Sequence, residues 1–144
     1  MGKIKMIKIS HRGNLDGPKL ESENHPAQIK KALSKSYHCE ADVWYVNGHF
    51  SLGHDKPTYP IDKTFLENEK IWCHAKNLPA LESMLYYGIH CFWHETDKFT
   101  ITSKGYIWTF PEEEVTKNSV IVHKGSDWKE KNYNCAAVCT DYIL

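Results

Sequence analysis

Long apolar runs are missing from this 144-residue chain; none approaches the roughly 20 consecutive apolar residues of a membrane-spanning helix. An excess of one charge is missing too. The 18 basic residues are offset by 18 acidic ones, which argues against nucleic-acid binding through bulk charge. The opening residues Met1 to Ser10 alternate charged and apolar side chains and lack the unbroken apolar core of a signal peptide. Position 6 is Met, not the Ser or Thr that a myristoylation signal places there after Gly2. A cytoplasmic location is therefore expected. There is no internal repeat and no low-complexity tract, and the length leaves room for a single domain over residues 1–144. With 41% hydrophobic and 25% charged residues, the composition excludes a disordered chain.

Five cysteines, Cys39, Cys73, Cys91, Cys135 and Cys139, are an odd number without a secretory leader, so reduced, buried thiols are expected rather than a disulfide framework. A zinc site built from Cys73, His74, Cys91 and His94 is disfavoured. Strand alternation sends Cys73 and His74 to opposite faces, and Cys91 and His94 likewise.

Local patterns predict a strand from Lys3 to Ser10 running into His11-Arg12-Gly13. A helix from about His25 to Ser36 follows, with Asn24 as its cap and Pro26 in its first turn. A second strand covers Cys39 to Val46, turns at Asn47-Gly48 and returns over His49 to Leu52. Pro57 and Pro60 interrupt regular structure. A strand at Ile71 to Ala75, a helix at Leu78 to Tyr87 and a strand at His90 to His94 come next. Phe99 to Ser103 and Tyr106 to Thr109 form a hairpin around Lys104-Gly105. Ser119 to His123 and Ala136 to Thr140 are the last strands, and Lys124 to Asn134 allows a loop or one short helical turn. The alternation of strands and helices in the first two-thirds indicates an α/β domain.

Chemistry-bearing residues collect at strand ends. Glu40 and Asp42 share one face of the second strand, about 7 Å apart by strand geometry. Carboxylates this close repel unless a positive group lies between them, and their oxygens suit a divalent cation such as magnesium, calcium or manganese. His11 and Arg12 leave the first strand, and His54 follows the hairpin. Two histidines that move protons near neutral pH, an arginine and a held cation fit hydrolysis of a phosphodiester. Ser103-Lys104-Gly105 offers a further phosphate contact, although a hairpin lysine is ordinarily solvated.

The order His11-Arg12-Gly13, Glu23-Asn24, Glu40-x-Asp42-Val43 and Gly53-His54-Asp55 resembles the signature of the glycerophosphodiester phosphodiesterase family. The likeness covers residues 7–57 and recurs weakly at Ala137 to Asp141, where the family's last strand commonly ends in Thr-Asp. It implies a triosephosphate-isomerase-type (TIM) barrel and metal-dependent cleavage of glycerophosphodiesters, an activity of lipid metabolism. It further implies His11 and His54 as the acid/base pair, Glu40 and Asp42 as metal ligands, Glu23 in the same site and Arg12 on the phosphate.

Two departures shape the expectation. The third strand of the family carries Glu-x-Lys; here His74-Ala75-Lys76 stands in its place. Lys76 then faces the phosphate, while His74 either ligates the metal, shifting preference toward manganese or zinc, or carries a proton. The chain is also short for a barrel of about 250 residues. The expected fold is accordingly α/β, a reduced TIM-type (β/α) barrel with several helices shortened or replaced by loops, self-associating to cover exposed sheet. The expected function is metal-dependent hydrolysis of a small phosphodiester. Its rivals are a binding module for a phosphorylated sugar or lipid head group and a zinc-stabilised structural protein.

Overall fold

The computed structural model describes residues 5–144; the part of the expected first strand before residue 5 lies outside them. In chain order come β1 (Ile7–His11), α1 (Pro26–Ser34), β2 (His38–Val46), β3 (His49–Leu52), β4 (Tyr59–Ile61) and α2 (Lys63–Leu66). Then follow β5 (Ile71–Ala75), α3 (Leu78–Tyr86), β6 (Cys91–Phe92), β7 (Phe99–Ile101), β8 (Ile107–Thr109), β9 (Ser119–Val122), a 3₁₀ turn (Trp128–Lys131) and β10 (Ala137–Thr140).

The strands form one curled, mixed sheet. A continuous path runs β4-β3-β2-β1-β10-β9-β8-β7, and β5 adds to β2 and carries β6. Parallel pairs join β1 to β2 and β10, β10 to β9, β9 to β8, β2 to β5 and β5 to β6. The β2–β3, β3–β4 and β7–β8 pairs are antiparallel. Beyond β6, Ser103 N–H donates to the Cys91 carbonyl (2.8 Å) and Cys91 N–H to Ser103 Oγ (2.9 Å), so the β6 edge meets the loop after β7.

This architecture corrects the expected TIM-type barrel. The molecule is mostly strand, a half-barrel of mixed sheet, and helices do not alternate with strands around it. The physical reason lies in the connections. Three short links in the second half, the segment before β7, the Lys104-Gly105 turn and the segment before β9, leave no length for a helix packed along a strand. The same hairpin reverses chain direction and makes β7–β8 antiparallel. The strand expected at His90 to His94 shrinks to two residues, and Pro60 sits inside β4, an edge strand where a missing N–H is tolerated.

Apolar residues divide by face as strand alternation requires. Cys39, Ala41 and Val43 of β2 and Ile71, Cys73 and Ala75 of β5 point outward against Ile29 and Ala32 of α1 and Ala80 and Met84 of α3. Inside the curl, Ile9, Trp72, Phe92, Trp108, Val120, Ala137 and Cys139 meet from six strands. Outside β9 and β10, Ile121 and Val138 are covered by Trp128, Cys135 and Ile143. A loop with one 3₁₀ turn thus does what a helix would do in a regular barrel, whereas Phe99 and Ile101 of β7 remain exposed.

Helix ends set the entry to the site. His25, not Asn24, caps α1, its ring accepting from Ala27 N–H, with Pro26 in the first turn. Asn77 caps α3 by accepting from Ala80 N–H and also clasps the Tyr45 backbone through both its amide groups. Asn47 and Gly48 have φ of 52° and 79°, the left-handed pair that the two-residue turn between β2 and β3 requires.

His90 is buried among aromatic rings, 4.4 Å from the Trp72 ring centroid, with Nε2 paired to Thr102 Oγ1 at 2.8 Å. Burial first, then the charges of Lys104 and His38, push its pKa down to about 4 from 6.5. The unfolded chain therefore binds a proton at mildly acid pH that the folded chain refuses. Stability contributed above the unfolded value is lost as the pH falls toward the folded one. Between pH 7 and pH 5 this loss is about 2 kcal/mol. His90→Gln is expected to flatten the fall in unfolding free energy over that range, measured by urea denaturation; equal slopes in both proteins would contradict the assignment.

Candidate metal centre

Alternation along β2 that sends Ala41 and Val43 to the helices sends Glu40 and Asp42 into the concave face, where their side chains are 3% and 0% exposed. Register brings the partners alongside: His11 of β1 lies opposite Glu40, and His74 of β5 lies opposite Asp42. Two buried carboxylates on one strand face are costly unless positive groups surround them.

Arg12 is the permanent cation. Its Nε lies 3.0 Å from Asp42 Oδ2 and its Nη1 donates to Glu23 Oε1 at 2.9 Å. The backbone at Arg12 is left-handed (φ 57°) and its N–H donates to the Glu40 carbonyl, so the chain turns sharply to aim the guanidinium back at β2. Gly13 follows with φ 86°, and a Cβ there would lie 2.9 Å from Gln28 Cγ, which explains a glycine after the arginine. Glu23 also accepts from Asn14 Nδ2 (3.1 Å) and Lys19 N–H (3.1 Å).

Asn24 locks Asp42. Its Nδ2 donates to Asp42 Oδ2 (2.9 Å), and its Oδ1 accepts from the Asp42 backbone N–H (2.9 Å). Asn24 adopts φ 66°, a conformation asparagine tolerates better than most residues. Opposing the cost of burial, the His74 hydrogen bond, Arg12 and Asn24 hold the Asp42 carboxyl far below the usual carboxylate range.

His74 completes the group. Its ring stacks on Phe92 at 5.1 Å between centroids, and Nε2 lies 2.9 Å from the His94 carbonyl oxygen. A carbonyl only accepts, so Nε2 carries the hydrogen and Nδ1 faces the carboxylates, 3.2 Å from Asp42 Oδ1 and 3.7 Å from Glu40 Oε2. Burial works against a charge on this ring, but the bonds and charges of Asp42 and Glu40 win and raise its pKa to about 9.

On the other side, His11 Nδ1 pairs with Asp141 Oδ1 at 2.7 Å, and its Nε2 points toward Glu40 Oε1 at 3.8 Å. Asn14 Nδ2 donates to the same Asp141 oxygen at 2.9 Å. Burial lowers the His11 pKa, but the Asp141 hydrogen bond and the Glu40 charge outweigh it, and the net shift is upward.

These residues fit a divalent cation. Glu40, Asp42 and His74 present ligand atoms that all lie within 4.8 Å of one another. Glu40 Oε1 and Asp42 Oδ1 are buried with no well-formed hydrogen bond among the described residues, Asp42 Oδ1 having only the His74 ring at 3.2 Å, as atoms open to another ligand would be. The His74 Nε2 bond to a backbone carbonyl is the arrangement that fixes a ligating imidazole, and a cation would take the place of the proton that the raised pKa puts on Nδ1. Charge agrees: Glu23, Glu40, Asp42 and Asp141 converge on Arg12 and two histidines. Oxygen donors with one nitrogen suit magnesium, calcium or manganese, and the imidazole admits zinc.

A cleft of about 150 Å³ opens over the cluster, lined by His11, Arg12, Glu40, His74, His94 and Lys124 among others. Of the residues singled out from sequence, His11, Arg12, Glu40, Asp42 and His74 come together. Glu23 joins through Arg12, holding the guanidinium rather than standing with the three ligand groups. His54 is not among the residues that line the cleft. Gly53 N–H anchors that loop to the Asp42 carbonyl (3.1 Å), but the His54 ring is 45% exposed and pairs with Asp55 at 2.7 Å. Lys76 donates its backbone N–H to Val43 O as it leaves β5; the lysine lining the cleft is Lys124. Lys104 lies away from it, exposed in its hairpin. The sequence reading missed the clamping role of Asn24, the Asp141 partner of His11, Asn14 and Lys124. The Thr-Asp ending of β10 was the available signal for Asp141.

Comparison with protein-family models, with curated proteins and with solved structures finds no match to this chain. No helix among the described residues is long and apolar enough to cross a membrane.

Asn24→Ala leaves the Asp42 N–H and one carboxylate oxygen without their partner, at a cost of about 1–3 kcal/mol in folding stability. It is expected to weaken manganese binding by about 10–100-fold, as loss of an outer-shell partner does. Urea denaturation and calorimetric titration check the two effects; unchanged manganese affinity would show that Asn24 is structural only.

Proposed function

We propose that this chain is a cation-dependent phosphodiesterase of small phosphodiesters, similar in its site to the glycerophosphodiester phosphodiesterases. The observation that supports this most is the conjunction of two unpartnered carboxylate oxygens, an orientated imidazole at His74, an arginine and a histidine–aspartate pair around one small cleft. A structural ion site needs neither the exposed face of His11 nor a cleft above it.

Glu40, Asp42 and His74 would hold the cation, which when bound supplies charge neutralisation at the phosphate and polarises an attacking oxygen. Arg12, kept in place by Glu23 and Asp42, faces the phosphate's remaining negative charge; Lys124 adds a second positive group at the cleft wall. Asp141 accepts from His11 Nδ1, which fixes the ring and directs Nε2 into the cleft. His11 Nε2 takes the proton of the nucleophile or gives one to the leaving oxygen. His54, next to the Gly53 that is tied to Asp42, would serve the opposite transfer on turning from Asp55. Lys76 is not assigned a phosphate contact.

A second reading is favoured by the outward pairing of His54 with Asp55. Without a second proton carrier in place, the same site binds a phosphorylated sugar or lipid head group with weak turnover or none. A cytoplasmic location is part of the proposal, supported by five free cysteines, all buried, as in a reducing compartment.

The test is hydrolysis of glycerophosphocholine, glycerophosphoethanolamine and bis(p-nitrophenyl) phosphate by metal-stripped protein, with magnesium, calcium, manganese or zinc restored singly. Activity is expected to return with a cation and to fall at least about a hundredfold in His11→Ala. A His54→Ala variant retaining full activity would remove that residue from the mechanism. Absence of turnover with every cation in protein that binds manganese would favour the binding reading.

A further inference from the structure

The cleft over the cation site is small. At about 150 Å³ it falls below the roughly 300–1,000 Å³ typical of small-molecule sites, so a phosphodiester seated there must send its second arm elsewhere. A larger cleft of about 500 Å³ adjoins it and shares Phe110, Pro111 and Lys124 as walls. It opens past the carboxyl end of β9, where His123 and Lys124 leave the strand.

The polar groups of this second cleft are orientated. His123 bridges Tyr133 and Asp127, with Nδ1 2.6 Å from the Tyr133 hydroxyl and Nε2 2.7 Å from Asp127 Oδ1. A carboxylate only accepts, so His123 Nε2 donates to Asp127; in the neutral ring Nδ1 then accepts, and the Tyr133 hydroxyl donates to it. The Tyr133 oxygen is left with lone pairs for a donor from outside the chain. The His123 side chain is 10% exposed, which makes this a built arrangement rather than a surface encounter.

Charge narrows the choice of arm. Lys131 lies 3.6 Å from Asp127 and Lys124 has no ion-pair partner among the described residues. Glu112 offsets one positive charge at the wall. The cleft is close to neutral, with a free ammonium at its junction with the cation site. That placement repels a cationic head group and tolerates a neutral one. Phe110, Pro111 and Tyr133 add flat apolar surfaces against which the carbon faces of a ring can lie.

We infer that the cleft formed by His123, Lys124, Asp127 and Tyr133 receives the second arm of the phosphodiester, and that this arm is a neutral polyhydroxyl group, a cyclitol or sugar, rather than an amine. The assignment rests on the phosphodiesterase reading for its direction but makes its own demand, discrimination between arms. Tyr133 accepts a hydrogen bond from an arm hydroxyl, and Lys124 donates to a hydroxyl or to the phosphate at the junction.

Glycerophosphoinositol and glycerophosphocholine share one arm and differ in the other, so their ratio reports on this cleft. With magnesium present, kcat/KM of the full chain is expected to favour the inositol ester at least about tenfold. Tyr133→Phe, which keeps the ring, and Lys124→Ala, on the open surface, are each expected to cut that ratio to about threefold or less, as loss of one hydrogen bond does. Calorimetric Kd values for the two esters, measured with calcium, give the same ratio where neither ester turns over. An inositol preference in binding without turnover would overturn catalysis and uphold the cleft. Equal use of the two esters, preference for choline, a ratio unmoved in both variants, or binding of neither ester would overturn the cleft assignment; in the first three cases the phosphodiester site itself would stand.

Discussion

Glu40 and Asp42 are held almost wholly out of water on one strand face, and most of the molecule's polar architecture answers that constraint. Isolated ionised carboxylates in such a place would be protonated or would unfold the strand. Here they are approached from three elements: by His11 and Arg12 from the end of β1, by Asn24 from the entry to α1 and by His74 from β5. The positive groups are themselves held by further carboxylates, Glu23 on Arg12 and Asp141 on His11. The surrounding charges nevertheless leave Glu40 Oε1 and Asp42 Oδ1 without hydrogen bonds. Arg12 Nε, 3.0 Å from Asp42 Oδ2, is likewise without a hydrogen bond, and the two converging oxygens leave room for a cation.

The curl of the sheet makes this convergence affordable in so short a chain. Parallel pairing of β1 with β2 and of β2 with β5 sets the carboxyl ends of three strands side by side, and their loops supply the site. Trp72, Phe92 and Trp108 pack beneath, inside the curl, where the two tryptophans and the phenylalanine are almost fully buried. The apolar floor keeps water from screening the carboxylates from one side. Outward faces are covered by α1 and α3 on one flank and by the Trp128 loop on the other. Full helical cover is thus unnecessary for this sheet, and the site sits on a fold that is mostly strand.

Local chemistry was legible in the sequence wherever it depends on near neighbours. Glu40 and Asp42 share a face because they are two residues apart, the Asn47-Gly48 turn needs residues that accept positive φ, and Ile71–Ala75 is an unbroken strand pattern. What depends on distant contacts was not. Asn24 reads as a cap because capping and clamping ask for the same side-chain amide; only the fold shows that His25 caps while Asn24 reaches Asp42. Asp141 meets His11 across 130 residues, and His54 looks like a partner of His11 in a motif but turns toward Asp55. The barrel expectation failed for a related reason: strand-forming segments are visible locally, whereas the direction in which β7 and β8 pair and the loop that replaces an outer helix are not.

The central claim is that Glu40, Asp42 and His74 Nδ1 bind one cation. Anomalous diffraction from crystals grown with manganese tests it most directly. The account predicts a single strong manganese peak at about 2.0–2.4 Å from a carboxylate oxygen of Glu40, one of Asp42 and His74 Nδ1. A manganese peak elsewhere, or none with His74 Nδ1 hydrogen-bonded to both carboxylates in its place, would contradict it.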